Sequence, residues 1–130
     1  MSLNDSLANA LSHILNCEGK GKSICIIKNS SKMIKKVLSI MKDKHYIGTF
    51  KEIKTDKGEL LEINLIGAIN KCNVIKPKYS VKKNDFEKFE KRFLPAKDMG
   101  IIIISTPKGL MTHQEAFNKN IGGRLIAYIY

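Results

Sequence analysis

Apolar positions recur at helical spacing in some stretches of this chain, alternate with polar ones in others, and in one place run unbroken. In "NDSLANALSHILN", Leu3, Leu7, Ala10, Leu11, Ile14 and Leu15 fall on one helical face. "SICIIK" reads as a short buried strand. "NSSKMIKKVLSIMKDKH" opens with Asn and Ser, which suit an N-cap, and then repeats Met33, Ile34, Val37, Leu38 and Met41 at helical spacing. "YIGTFKEIK", the turn "TDKG" and "ELLEINLIG" predict a hairpin, with Phe50 and Ile53 set among Lys and Glu.

The pattern restarts near Gly67. "INKCNVIKPKYSV" is extended, and Pro77 favours an edge or a bend. "NDFEKFEKRFL" is a short helix or turn that Pro95 ends. "MGIIIIST" is a central strand. "THQEAFNKN" is a helix with Thr112 and Glu115 at capping-box spacing, and Gly122-Gly123 leads into a last strand, "RLIAYIY". The fold class expected is α+β in two small packed domains. Residues 1–67 form an α-β-α-β-β domain, and residues 68–130 form a mostly β domain with one short helix.

Composition narrows the function. With 130 residues and 43% of them apolar, the chain can bury a core, and no apolar run approaches the ~20 residues of a membrane span. The first residues lack the basic region of a signal peptide, so the cytoplasm is expected. Cys17, Cys25 and Cys72 are odd in number and show no C-x-x-C spacing, which argues for buried, inert thiols. The net charge of +11 is uneven. Residues 19–58 hold 11 Lys against 3 acids, and residues 71–97 hold 9 Lys or Arg against 3 acids. Such blocks attract a polyanion, either nucleic acid or an acidic membrane surface. Only Arg92 and Arg124 are Arg, and Lys gives phosphate a point charge with little geometric selectivity.

Several stretches offer chemistry. "GKGKS" at 19–23 lacks the P-loop's first glycine, since Asn16 stands there, and a strand follows where a helix is required. His13, His45 and His113 show no metal-ligand spacing, and no acid–base or nucleophile constellation stands out, so an enzyme is not expected. A Cys–His pair united by the fold is the one enzymatic route left open. In "KNSSK", Lys28, Ser30, Ser31 and Lys32 surround a helix start whose free N–H groups suit a phosphate; helix capping by Asn29 or Ser30 explains the same residues without a ligand. In "KPKYSVKKNDFEKFEKRF", Phe86, Phe89 and Phe93 have helical spacing and belong to a core, leaving Tyr79 as the candidate for base stacking. Ser105-Thr106-Pro107-Lys108-Gly109 follows four isoleucines. Its hydroxyls suit base edges, phosphates or a ribose 2′-OH, and equally suit an ST-turn between strand and helix.

Gly100, the apolar run 101–104, Ser105-Thr106, Gly109-Leu110-Met111, Ala116 and Gly122-Gly123 together resemble the signature of a universal family, ribosomal protein eight of the small subunit. "DSLANALSHILN" is similar to that family's opening helix and "KNSSK" to its second-helix start. "INKCNVIKPKY" and "FEKFEKRFLPAKDMG" resemble its archaeal and eukaryotic branch. The resemblance implies a primary rRNA-binding protein that holds an irregular helix in the central domain of small-subunit rRNA and supports assembly. It implies that Ser105 and Thr106 bond to nucleotides, that Pro107, Lys108 and Gly109 shape the loop, and that Gly122-Gly123 lets backbone approach RNA. It also implies phosphate contacts from Lys28, Ser30, Ser31 and Lys32. The partners implied are the rRNA, neighbouring ribosomal proteins and the protein's own mRNA, with no cofactor or metal, and a monomer away from the ribosome. Ser6 and Asn29 stand where the family commonly has Pro, Pro107 often has a hydroxyl counterpart, and Phe117 stands where a basic residue is usual. Arg124 replaces the Glu of bacterial relatives and suits phosphate. The rival from another class is a polyanion-binding module, for an acidic membrane or protein, driven by the same lysines.

Overall fold

The computed structural model describes residues 6–28, 31–76, 79–96 and 99–130. Leu3, Asn29, Ser30 and Pro77, named above, lie outside the described residues. The chain divides into two compact units, Met1–Asn70 and Lys71–Tyr130.

In the first unit, α1 (Ser6–Gly19), β1 (Ile24–Ile27), α2 (Lys32–Asp43), β2 (Ile47–Thr55) and β3 (Gly58–Leu65) follow in order. The strands form an antiparallel sheet in the order β1-β3-β2. Leu7, Ala10, Leu11 and Ile14 are the buried stripe of α1, as the periodicity predicts. Leu15 is only half-buried, and Cys17 continues the stripe in its place, one turn on from Ile14. The buried stripe of α2 is Ile34, Val37, Leu38 and Met41; Met33, a quarter-turn off it, is exposed. Ser31 caps α2, its Oγ accepting the Ile34 N–H at 3.2 Å. The hairpin forms as expected, and the Thr55 hydroxyl donates to the Gly58 carbonyl across the turn at 2.8 Å. β1 is an edge strand that alternates, Cys25 and Ile27 inward and Ile24 and Ile26 outward, so it is buried on one face and not on both.

The second unit contains β4 (Cys72–Val74), β5 (Ser80–Val81), a 3-10 turn (Lys83–Asp85), α3 (Phe86–Phe93), β6 (Ile101–Thr106), β7 (Gly109–Thr112), α4 (His113–Asn118) and β8 (Gly123–Ile129). The antiparallel sheet runs β4-β8-β6-β7, and β5 pairs with β8 beyond β4 on the same edge. Within the segment 84–94 the helix is α3, with Phe86 and Phe89 buried and Phe93 half-buried against the same core. It stops at Leu94, whose φ of −107° and ψ of 148° are the extended geometry that a following proline imposes. Thr112 caps α4, its Oγ1 accepting the Glu115 N–H at 3.2 Å.

Ile101 to Ile104 in β6 are all buried, so both faces of the central strand are covered. Ile102 and Ile104 join Leu125, Met111, Phe86, Phe89 and Ala116 in one core; Ile101 and Ile103 pair with Ile129 and Ala127 on the opposite face. Full burial of each such side chain contributes about 1.5–3 kcal/mol. His113, 2% exposed, ties this core together. Its Nδ1 accepts the Ile102 N–H at 3.1 Å, continuing the ladder where β7 ends, and its Nε2 lies 3.4 Å from Glu90 Oε1 on α3. Among the described residues, no helix is long and apolar enough to cross a membrane.

Candidate nucleic-acid interface

The stretch after the isoleucines is not a loop running into a helix. Ser105 and Thr106 are the last residues of β6, Pro107-Lys108 turns the chain, and Gly109 begins β7, paired back onto Thr106. Alternation along a strand sends neighbouring side chains to opposite faces, so the two hydroxyls part company. Thr106 lies on the side of Ile102 and Ile104 and is 8% exposed. Its Oγ1 donates to the Gly109 carbonyl at 2.7 Å and accepts the Lys108 N–H at 3.2 Å. The hydroxyl of Thr106 thus builds the turn, together with the positive φ of Gly109 (111°), a conformation that glycine adopts without strain.

Ser105 lies on the other face, half-buried, and its hydroxyl has no hydrogen-bond partner among the described residues. The register places Arg124 of β8 directly across from it, and Ser80 of β5 across from Arg124. Leu110 of β7 completes the row on the far side of Ser105. Side chains so paired stand about 5 Å apart at Cβ. Ser80 and Arg124 are exposed, and no carboxylate among the described residues pairs with Arg124.

A bulge decides which way Arg124 points. Ile103 pairs with Ala127 but Ile104 pairs with Leu125, so β8 holds one extra residue, Ile126. One extra residue reverses the facing of everything before it. Without the bulge Arg124 would face the core of Ile102 and Ile104; with it, Arg124 faces the side of Ser105. The two glycines before Arg124 serve the same close packing. A Cβ on Gly123 would strike the Ser105 carbonyl and stand 2.8 Å from Ile104 Cγ2; one on Gly122 would strike the Val81 carbonyl and stand 3.0 Å from Lys82 Cα. The structure therefore gives Gly122-Gly123 an intramolecular reason, the seating of β8 against β5 and β6.

Tyr79 precedes β5, and its carbonyl accepts the Leu125 N–H at 3.0 Å. Its ring packs on Phe89 at 5.5 Å between centroids, and the Arg92 guanidinium lies 5.3 Å from its centre. Phe93, Tyr128 and Tyr130 extend this row of rings. A base stacking on Tyr79 would have to compete with Arg92.

Lys28, Ser31 and Lys32 belong to the first unit, at the start of α2, and are not part of the sheet row. Ser31 Oγ is occupied as the cap, while Lys28 and Lys32 are exposed. No acid stands in the first turn of α2, so nothing there offsets the positive end of the helix dipole and the two lysines. Lys35, one turn on, is tied to Glu52 at 2.7 Å, and that bond raises its pKa.

Two groups escape reading along the chain. Ser80 carries no local signal; only the pairing of β5 with β8 puts it in the row. His13, Cys17 and Cys25, which show no metal-ligand spacing, bring ligand atoms within 4.8 Å of one another. Burial first, and the neighbouring Cys17 sulfur second, push the Cys25 thiol up to about 12, which leaves it a poor nucleophile at neutral pH. A family model described as Ribosomal protein S8 matches residues 5–130.

Proposed function

Since the chain belongs to the ribosomal protein S8 family, and so is a small-subunit protein that binds rRNA, we propose that it grips an irregular helix of the rRNA central domain through the row Ser80–Arg124–Ser105. The family's role is structural, not enzymatic. The observation that carries the reading is that row: a cation with no carboxylate partner among the described residues, set between two hydroxyls on a sheet whose central strand is buried on both faces. Ser105 gives a donor and two acceptors to a base edge or a 2′-OH, and Arg124 takes the adjacent phosphate. A regular RNA duplex hides its major-groove base edges in a deep, narrow groove and offers mainly shape in its shallow minor groove, so a selective target is a stretch with unpaired bases.

Thr106, Pro107 and Gly109 hold the turn that presents Lys108, and Gly122-Gly123 seats Arg124 beside Ser105. Lys28, Ser30, Ser31 and Lys32 add phosphate contacts at the α2 N-terminus. Tyr79 contributes a stacking surface when Arg92 moves off it to phosphate. Binding rRNA directly, the protein holds the central domain for neighbouring ribosomal proteins during assembly. Its own mRNA is a second target where that transcript copies the rRNA site; failure to bind the transcript removes this role.

Footprinting of the whole chain on naked small-subunit rRNA tests the proposal. One compact protected region in the central domain, including unpaired nucleotides and lost with Arg124→Ala, is expected. Protection scattered over the rRNA, unchanged by that substitution, would instead fit a polyanion-binding module driven by the lysines.

A further inference from the structure

The first unit contains a cluster that RNA binding does not use. His13 and Cys17 stand one turn apart on α1, so their side chains leave the same face. Cys25 is an inward position of β1, an element that packs against α1. Each residue offers one soft or borderline donor, and the three ligand atoms lie within 4.8 Å of one another. His13 Nε2 is 3.9 Å from Cys17 Sγ. Tetrahedral zinc, about 2.3 Å from sulfur and about 2.0 Å from nitrogen, holds such atoms about 3.6 Å apart. A small side-chain rotation closes that difference. The donors thus sit near the spacing of an ion's ligands before any ion arrives.

Burial is also graded as a site requires. Cys17 and Cys25 are 5% and 1% exposed, whereas the imidazole is exposed and lines a shallow depression with Ser6, Asn9, Ala10 and Ile27. The imidazole thus meets solvent, and the two sulfurs within 4.8 Å of it are buried. Two thiolates and an imidazole select zinc or copper(I) and disfavour magnesium and calcium, which want oxygen. We propose that His13, Cys17 and Cys25 form a zinc site with three protein ligands, its fourth position open to water on the His13 side. Binding releases the two thiol protons to solvent and leaves both sulfurs as thiolates on the ion. The bound ion staples the C-terminal half of α1 to β1.

The test uses the whole chain, reduced and metal-free, titrated anaerobically with cobalt(II) and then with zinc(II). One cobalt per chain, with the strong visible bands of a tetrahedral ion and a near-ultraviolet sulfur-to-cobalt band, is expected, and zinc should bleach both. Cys25→Ala and Cys17→Ala each weaken the sulfur band, the double substitution removes it, and Cys72→Ala leaves it unchanged. His13→Gln, at an exposed position that leaves the fold intact, weakens cobalt affinity by about 100-fold or more, at or beyond the loss that follows removal of a group merely supporting a ligand. A wild-type chain without the sulfur band overturns the proposal. So does a band that survives His13→Gln at full affinity, or one that Cys72→Ala abolishes. Because metal is the only probe, failure here leaves the rRNA-binding reading intact.

Discussion

In the first unit, β1 turns Cys25 and Ile27 inward and leaves Ile24 and Ile26 nearly half exposed; in the second, β6 buries Ile101, Ile102, Ile103 and Ile104 in succession. The candidate RNA contacts differ in the same way. Lys28 and Lys32 are long, exposed side chains at a helix start, free to follow a phosphate. Ser105 and Arg124 sit on paired strands, with Gly123 admitting the Ser105 carbonyl where any larger residue would collide. The contrast teaches where selectivity should come from. A row on paired strands can hold hydrogen-bond geometry against one irregular RNA, while exposed lysines attract any RNA.

Substitutions can break this comparison at several depths. Gly123→Ala should destabilise most, by about 3 kcal/mol or more, because the new methyl meets backbone that cannot yield cheaply. Gly19→Ala, at the end of α1 with nothing within 4 Å of the added Cβ, should be neutral or stabilising by about 0.5–1 kcal/mol. Denaturant unfolding of both variants measures the gap, and equal midpoints would mean that β8 is not seated as described. Next come the strands themselves. Ile103→Ala should cost about 2–5 kcal/mol and Ile26→Ala no more than about 0.5. A large loss from Ile26→Ala would show that something covers the outer face of β1.

Smaller effects separate the two hydroxyls. Thr106→Val keeps the shape but removes the turn's hydrogen bonds, so it should lower stability by about 1–2 kcal/mol and leave the preference for irregular RNA in place. Loss of that preference without loss of stability would make Thr106 a reader after all. Smallest should be Lys28→Gln and Lys32→Gln. Each should weaken binding to every RNA alike and reduce the salt slope by about one, as expected for a phosphate contact. A change in preference between RNAs would shift selectivity toward the first unit.

Local rules made much of the fold legible in the sequence. The stripe Ile34, Val37, Leu38 and Met41, the Thr55–Gly58 hairpin turn and the Thr112–Glu115 cap each depend on neighbours within about a turn, and each is present. β7 was not legible. Gly109, Leu110, Met111 and Thr112 show no alternation of their own and become a strand only by pairing with β6. The bulge at Ile126 is likewise a property of two strands, visible only where Ile103 and Ile104 choose their partners. The candidate row combines β5, β6 and β8, so Ser105 and Arg124 could be named through a family resemblance, but not their adjacency, nor Ser80. Cys17 and Cys25 meet for the same reason, through packing of a helix on a strand.

The central claim is that Ser105 is held out for selective contact with irregular RNA. Affinity of the wild type and of Ser105→Ala should be measured across a salt series, on an rRNA central-domain fragment containing the irregular helix and on a fully paired duplex of equal length. The wild type should prefer the irregular RNA, and Ser105→Ala should lose about 1 kcal/mol of that preference with its salt slope unchanged. Equal binding of both RNAs by the wild type, with a silent Ser105→Ala, would mean that β6 ends in an ordinary corner and that the lysines alone bind RNA.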